Sequence, residues 1–180
     1  MRFATPLSLL LIIAGIMSGC TTAPSTESDK RSLIDDAAGT LRHMKVQDAS
    51  LDRFLARSYG YTIFPSVGKG GLIAGGAYGR GIVYEKGQMV GYSDLSQATV
   101  GLQAGGQTYS ELVVFETQID FDRFIGGRLT LSANLSAVAL KSGAASSARY
   151  TDGVAVFVEP IGGLMLEAAI GGQQFTYMPK

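Results

Sequence analysis

Gly-Gly pairs at 70-71, 75-76, 105-106, 126-127, 162-163 and 171-172 punctuate the chain beyond residue 60, several of them inside β-branched and aromatic runs. Glycine within a strand gives up side-chain packing and backbone entropy, so it marks a bulge, a sharp bend or the close approach of another backbone. Strong sheet curvature accounts for several pairs at once. The expected fold is α+β: a strongly curved antiparallel sheet or a small barrel, with N-terminal helices packed on it and one short interposed helix. The pairs are too irregular in period for a solenoid.

Strand-like runs fall at 61–64, 72–84, 89–92, 98–107, 112–115, 128–140, 154–158 and 164–177. Glu85-Lys86-Gly87-Gln88 separates two of them as a hairpin turn, with Gly87 supplying a positive φ. Ahead of the strands, Leu33, Ile34, Ala37, Ala38, Leu41 and Met44 repeat at the three-four spacing of one helical face. That predicts a helix over 29–44, with Ser32 and Asp35 spaced as a capping box. A second short helix is expected over 49–58, with Asp48 as its N-cap. The interposed helix spans 117–125, capped by Thr117, and covers one edge or opening of the sheet.

Residues 1–19 read as a secretory signal: Arg2 is the positive start and 7–17 the apolar centre. That centre is 11 residues long, against about 20 for a bilayer-spanning helix. The only cysteine follows at once, in Met17-Ser18-Gly19-Cys20, which resembles the lipobox of bacterial lipoproteins. The resemblance implies an acylated Cys20 as mature N-terminus, anchored to a bacterial membrane by more than one acyl chain. Thr21 stands where an Asp resembles an inner-membrane retention signal. The expected location is therefore the outer membrane, facing the periplasm. Residues 20–28 are small and polar and form the tether, leaving 29–180 as one folded domain.

The 15 basic and 15 acidic residues cancel, so no overall positive field draws the chain to nucleic acid. One His and one Cys leave little for zinc, redox or acid–base chemistry. Lys69 is followed by Gly70 rather than Ser or Thr and Ile63 stands where a P-loop needs Gly, so 67–73 is not a phosphate loop. Gly79-Arg80-Gly81 is followed by Tyr84 where a dinucleotide fingerprint has Gly. No Ser lies in a Gly-x-Ser-x-Gly elbow. The expectation is a non-enzymatic protein with no cofactor and no metal.

Cations remain. Arg42, Lys45, Arg53 and Arg57 alternate with Asp35, Asp36, Asp48 and Asp52, which reads as a solvated helix face. Lys69, Arg80, Arg128, Lys141 and Arg149 lie among turns and strands instead. The segment 141–149 carries a cation at each end of a small-residue loop, and is either a phosphate-holding loop or a long surface loop.

Phe64-Pro65 leading to Lys69-Gly70-Gly71, then Gly79-Arg80-Gly81-Ile82-Val83 and Gly101-Leu102-Gln103-Ala104-Gly105-Gly106-Gln107, form an ordered series. It continues through Phe124-Ile125-Gly126-Gly127-Arg128-Leu129-Thr130-Leu131, Asn134-Leu135-Ser136 and Gly163-Leu164-Met165-Leu166-Glu167. In order and spacing this series, over about 58–177, resembles the SYLF domain family. The resemblance implies a lipid-binding module without known catalysis, some of whose eukaryotic members bind phosphoinositides or actin filaments. Carried to an envelope protein, it implies binding of anionic phospholipid headgroups, with Lys69 at the family's basic turn and 141–149 at its variable loop. Lys69, Arg80, Arg128, Lys141 and Arg149 are then the expected lipid contacts. The alternative is a structural lipoprotein that binds another envelope protein through a sheet edge or the first helix. An integral barrel fits poorly, because 112–115 is apolar on both faces.

Overall fold

The computed structural model describes residues 24, 26–71, 74–100, 105–131, 135, 137–163 and 172–180. The expectations for the leader and Cys20, and for a strand over 164–171, lie outside the described residues.

The chain is α+β. Helices α1 (Glu27–Gln47) and α2 (Ser50–Leu55) precede strands β1 (Gly60–Gly71), β2 (Ala74–Glu85), β3 (Gln88–Val100) and β4 (Gly105–Phe115). Helix α3 (Gln118–Ile125), strand β5 (Val138–Ala139), helix α4 (Ala144–Ser147) and strands β6 (Val154–Gly163) and β7 (Gln174–Pro179) follow. The sheet order is β5-β6-β4-β1-β2-β3-β7. All neighbours are antiparallel except β5 and β6, which run parallel. Of the two sheet forms expected, the described strands make the open one, with β5 and β7 at its edges. Register shifts interrupt β1 against both neighbours, between Ile63 and Ser66 and between Phe64 and Val67, and bulges of this kind bend a sheet.

Both faces of the sheet are covered. Along β4, Leu112 and Val114 point to one core with Ala37, Met44, Leu51 and Phe54 of α1 and α2. Val113 and Phe115 point to the other, with Phe121 and Phe124 of α3. A strand sandwiched in this way has no polar face to show, which is why 112–115 reads as an unbroken apolar run.

The starts of α1 and α3 follow local capping chemistry, whereas α2 starts from Ala49 rather than the expected Asp48, with no side-chain cap. Thr26 caps α1, its hydroxyl accepting from Asp29 N at 3.1 Å, so α1 begins before the expected Ser32 box and takes Glu27 and Ser28 from the tether. Ser32 lies inside the helix instead. Helix α2 stops at Leu55, short of Ser58. In α3 the expected cap is present: Thr117 accepts from Asp120 N at 3.4 Å and Thr117 N donates to Asp120 at 3.2 Å.

The strands run longer than their apolar patches, because ladder partners carry polar residues such as Ser93, Asp94 and Ser96 along with them. The expected strand over 98–107 is the end of β3 and the start of β4. The expected continuous strand over 128–140 is not formed by the described residues, which hold one bridge, Thr130 to Gln174, and the two residues of β5. Leu129 and Leu131 alternate with exposed neighbours as a strand would, yet they close the α3-side core as a covering segment.

The glycines divide into two groups. Gly87, at φ 80°, makes the β2–β3 turn with Lys86 at φ 49°, and a Cβ on Gly81 would meet the Ile63 carbonyl at 2.6 Å, beside the bulge in β1. At the other end of the sheet, Gly70 pairs with Gly76 on one side and Gly106 on the other, and Gly71 with Gly75 and Gly105. This stripe crosses three strands. A Cβ on Gly70 would meet nothing within 4 Å.

Glu111 is a charge-bearing residue inside the α3-side core, fully buried opposite Phe64. Gln173 Nε2 donates to its Oε2 at 2.9 Å, while Oε1 finds no partner among the described residues. Burial pushes its pKa from 4.5 up to about 7, against the smaller opposing effect of Gln173. A carboxyl whose folded pKa is raised favours the native state most below the unfolded value, and that advantage falls as pH rises from 4.5 to about 7. At about 1.4 kcal/mol per unit, the fall amounts to roughly 3 kcal/mol. Urea unfolding at pH 5 and pH 8 should show this loss in the native chain and little of it in Glu111→Gln, which should be the more stable of the two at pH 8.

Candidate functional site

Helix α1 ends where Asp48 N donates to Met44 O at 2.9 Å, and the Asp48 side chain turns inward to only 1% exposure. Its Oδ1 accepts from Ser50 N at 2.9 Å, Ser50 Oγ at 2.6 Å and Gly143 N at 3.1 Å, and its Oδ2 accepts from Ala145 N at 2.6 Å. One carboxylate therefore ties the start of α2 to the start of α4 across sequence separations of 95 and 97 residues. Burial alone would raise its pKa, but the hydrogen bonds from Ala145, Ser50 and Gly143 outweigh burial and hold it below the ordinary 3.8. Gly143, at φ 79°, makes the turn that brings α4 in. The expected loop over 141–149 thus contains a short helix, with Ala144 and Ala145 buried.

Between α2 and α4 lie two adjoining recesses. One, of about 470 Å³, is lined by Ser50, Arg53, Ala56, Arg57 and Ser146. The other, of about 540 Å³, shares Arg57 and Ser146 and adds Phe54, Glu116, Ala148, Arg149 and Tyr150. Phe54 stacks on Tyr150, centroids 4.9 Å apart, and meets Phe157 edge-on at 5.2 Å, so the aromatic floor is continuous with the core. The Tyr150 hydroxyl is buried and finds no partner among the described residues. Its pKa is pushed up to about 12, chiefly by burial, then by the Glu116 charge, with Arg57 opposing.

Arg53 in the last turn of α2 and Arg57, two residues past its end, lie four positions apart, with Arg57 Nε donating to Arg53 O at 3.2 Å. Among the described residues no ion pair engages Arg53, Arg57 or Arg149. The acids that masked the first two in sequence are otherwise employed: Asp48 is buried against α4, and Asp52 pairs with Lys45 at 2.8 Å. Arg53 and Arg57, which sequence reasoning assigned to a solvated face, therefore line the recesses with no ion-pair partner among the described residues. Their one-turn spacing with the small Ala56 between them was the available signal.

The five cations expected from sequence do not converge. Arg149 lines the recess, and Lys141 is exposed just before α4, its carbonyl accepting from Ala144 N at 2.9 Å. Lys69 pairs across β1 with Ala77 of the α3-side core and so projects from that face, half-buried and already in contact with other residues. Arg80, two residues before Ile82, shares the face of the α1-side core, opposite to Lys69, and is exposed there. Arg128 is exposed just past α3, its N–H donating to Arg123 O at 2.9 Å.

Two other recesses offer less to an anion. One of about 560 Å³, between the end of α3 and the β7 edge, has no charged side chain in its lining. The other, of about 370 Å³, holds His43 and Glu159, which already pair at 3.0 Å.

The α2/α4 platform depends on Asp48. Asp48→Ala would leave the Ser50, Gly143 and Ala145 N–H groups without their acceptor in a buried place, a loss of about 3 kcal/mol. Because the native carboxylate titrates below its ordinary value, its contribution is present above pH 3.8 and lost as pH falls through the folded value. Thermal unfolding should separate the native and Asp48→Ala chains at pH 6 and bring them together toward pH 2.

No family model matches the chain. It is similar to beta cell expansion factor A of Aeromonas veronii, 28% identical over 154 residues that make up 84% of this chain and 59% of that protein. The chain thus spans less than two thirds of the length of this relative.

Proposed function

We propose that the chain is a non-catalytic, lipid-anchored envelope protein whose folded domain binds anionic phospholipid headgroups in the recess between α2 and α4. One observation carries the reading: three guanidinium groups with no ion-pair partner among the described residues rim two adjoining recesses that share Arg57, one of them floored by a stacked aromatic pair. Guanidinium is planar and forked, matching phosphate oxygens two at a time, and it is more weakly hydrated than an ammonium. The Phe54–Tyr150 stack gives the recess an apolar aromatic floor, with Tyr150 the more exposed of the two rings. Each basic side chain near an anionic surface adds about 1 kcal/mol of attraction, which supplements the acylated Cys20 anchor in an outer-membrane, periplasm-facing setting. The resemblance of the strand and turn motifs to SYLF domains supports a lipid ligand as well. Lys141 reinforces the α4 side, whereas Lys69, Arg80 and Arg128 contribute only through the general field.

Vesicle flotation tests this with the chain from Thr21 onward, which keeps every described element. Binding to phosphatidylglycerol vesicles should exceed binding to neutral phosphatidylcholine vesicles. Arg57→Glu with Arg149→Glu should weaken it at least about tenfold, and Lys69→Glu with Arg128→Glu should weaken it much less. Equal binding to both vesicle types, or losses that do not distinguish the two pairs, would remove the proposal. Capture of an envelope protein that survives the Arg57 and Arg149 reversals would favour a structural lipoprotein instead.

A further inference from the structure

The recess is not uniformly positive. Glu116 lines it beside Arg57, Arg149 and Tyr150. Its backbone is fixed at the end of β4, where Glu116 N donates to Gly153 O at 2.9 Å. Its carboxylate is exposed, and among the described residues no ion pair engages it. The Tyr150 hydroxyl feels both charges, Glu116 acting to keep its proton on and Arg57 to take it off. Acid and bases therefore flank one buried hydroxyl that has a proton to donate and finds no acceptor among the described residues.

A carboxylate in this position repels a bare phosphate, and among the described residues no ion pair holds it there. A phosphate that carries its own primary ammonium satisfies every group. We infer that the recess takes a phosphoethanolamine group, its phosphate held by Arg57 and Arg149 and its ammonium by Glu116. Tyr150 donates its hydroxyl proton to a phosphate oxygen, ending the isolation of that group. Arg53, in the adjoining recess, stays open to a neighbouring anionic headgroup, so preference for the amine is compatible with attraction to an anionic surface. This inference rests on the reading that the recess holds a phosphate headgroup. The same chemistry is offered by phosphatidylethanolamine in a membrane and by soluble glycerophosphoethanolamine.

The test again uses the chain from Thr21 onward. Phosphatidylglycerol vesicles are diluted equally with phosphatidylethanolamine or with phosphatidylcholine, whose quaternary nitrogen has no N–H to donate. The native chain should prefer the ethanolamine mixture by about threefold, the scale of one exposed charge pair. Glu116→Gln should abolish that preference while keeping or strengthening binding to phosphatidylglycerol alone. Glycerophosphoethanolamine should compete with the vesicles for the native chain and not for Glu116→Gln. Competition without any ethanolamine preference among vesicles would still support the site and assign it to the soluble source. Binding to phosphatidylglycerol with neither preference nor competition overturns this inference and spares the headgroup reading. Preference that persists in Glu116→Gln overturns it too, and absence of all binding overturns both.

Discussion

The carboxylate of Asp48 is the interaction on which the functional end of the molecule depends. It sits in the short link between α1 and α2 and receives hydrogen bonds from residues almost a hundred positions later. Without it the short helix α4 has little to hold it, since four residues cannot sustain a helix by propensity alone. With it, α2 and α4 become neighbouring walls, and Arg53, Arg57 and Arg149 come to the rims of two adjoining depressions.

Two buried carboxyl groups show how partner count decides the sign of the effect. Asp48 has both oxygens occupied and is held ionised, below its ordinary pKa, in spite of burial. Glu111 has one neutral donor on one oxygen, and burial wins. The two act in separate pH windows, Asp48 below 3.8 and Glu111 between 4.5 and about 7. The first is an anchor of the helical platform. The second ties β4 to Gln173, whose carbonyl in turn accepts from Leu131 N in the segment covering the α3-side core.

What was legible in the sequence was local. The β2–β3 hairpin followed from Gly87 between two strand-like runs, and α3 from the Thr117 cap at the head of 117–125. Both depend on atoms within one turn of each other. What was illegible depended on distant partners. Leu129 and Leu131 alternate like a strand, but whether a neighbour runs beside them is a tertiary matter. Ala144-Ala145-Ser146-Ser147 has no periodicity to read, and its helix exists because Asp48 meets it. Arg53 and Arg57 looked neutralised by adjacent acids, and only the fold shows those acids turned to Ala145 and Lys45. The general class of fold was accessible because glycine placement and alternation act over the whole chain; the site was hidden because every element of it is an encounter between segments.

The glycine stripe across β2, β1 and β4 gives the sheet an uneven cohesion along its length. At the helix-covered end, Leu112 to Phe115 interlock on both sides, so ladder bonds and packed side chains must break together. At the glycine end the same ladder bonds lack side-chain support, and each glycine surrenders about 0.5–1 kcal/mol more than alanine on ordering. Fraying therefore starts from Gly70 and its neighbours and travels inward, and amide exchange should slow steadily from that tip toward Ile63 and Leu112.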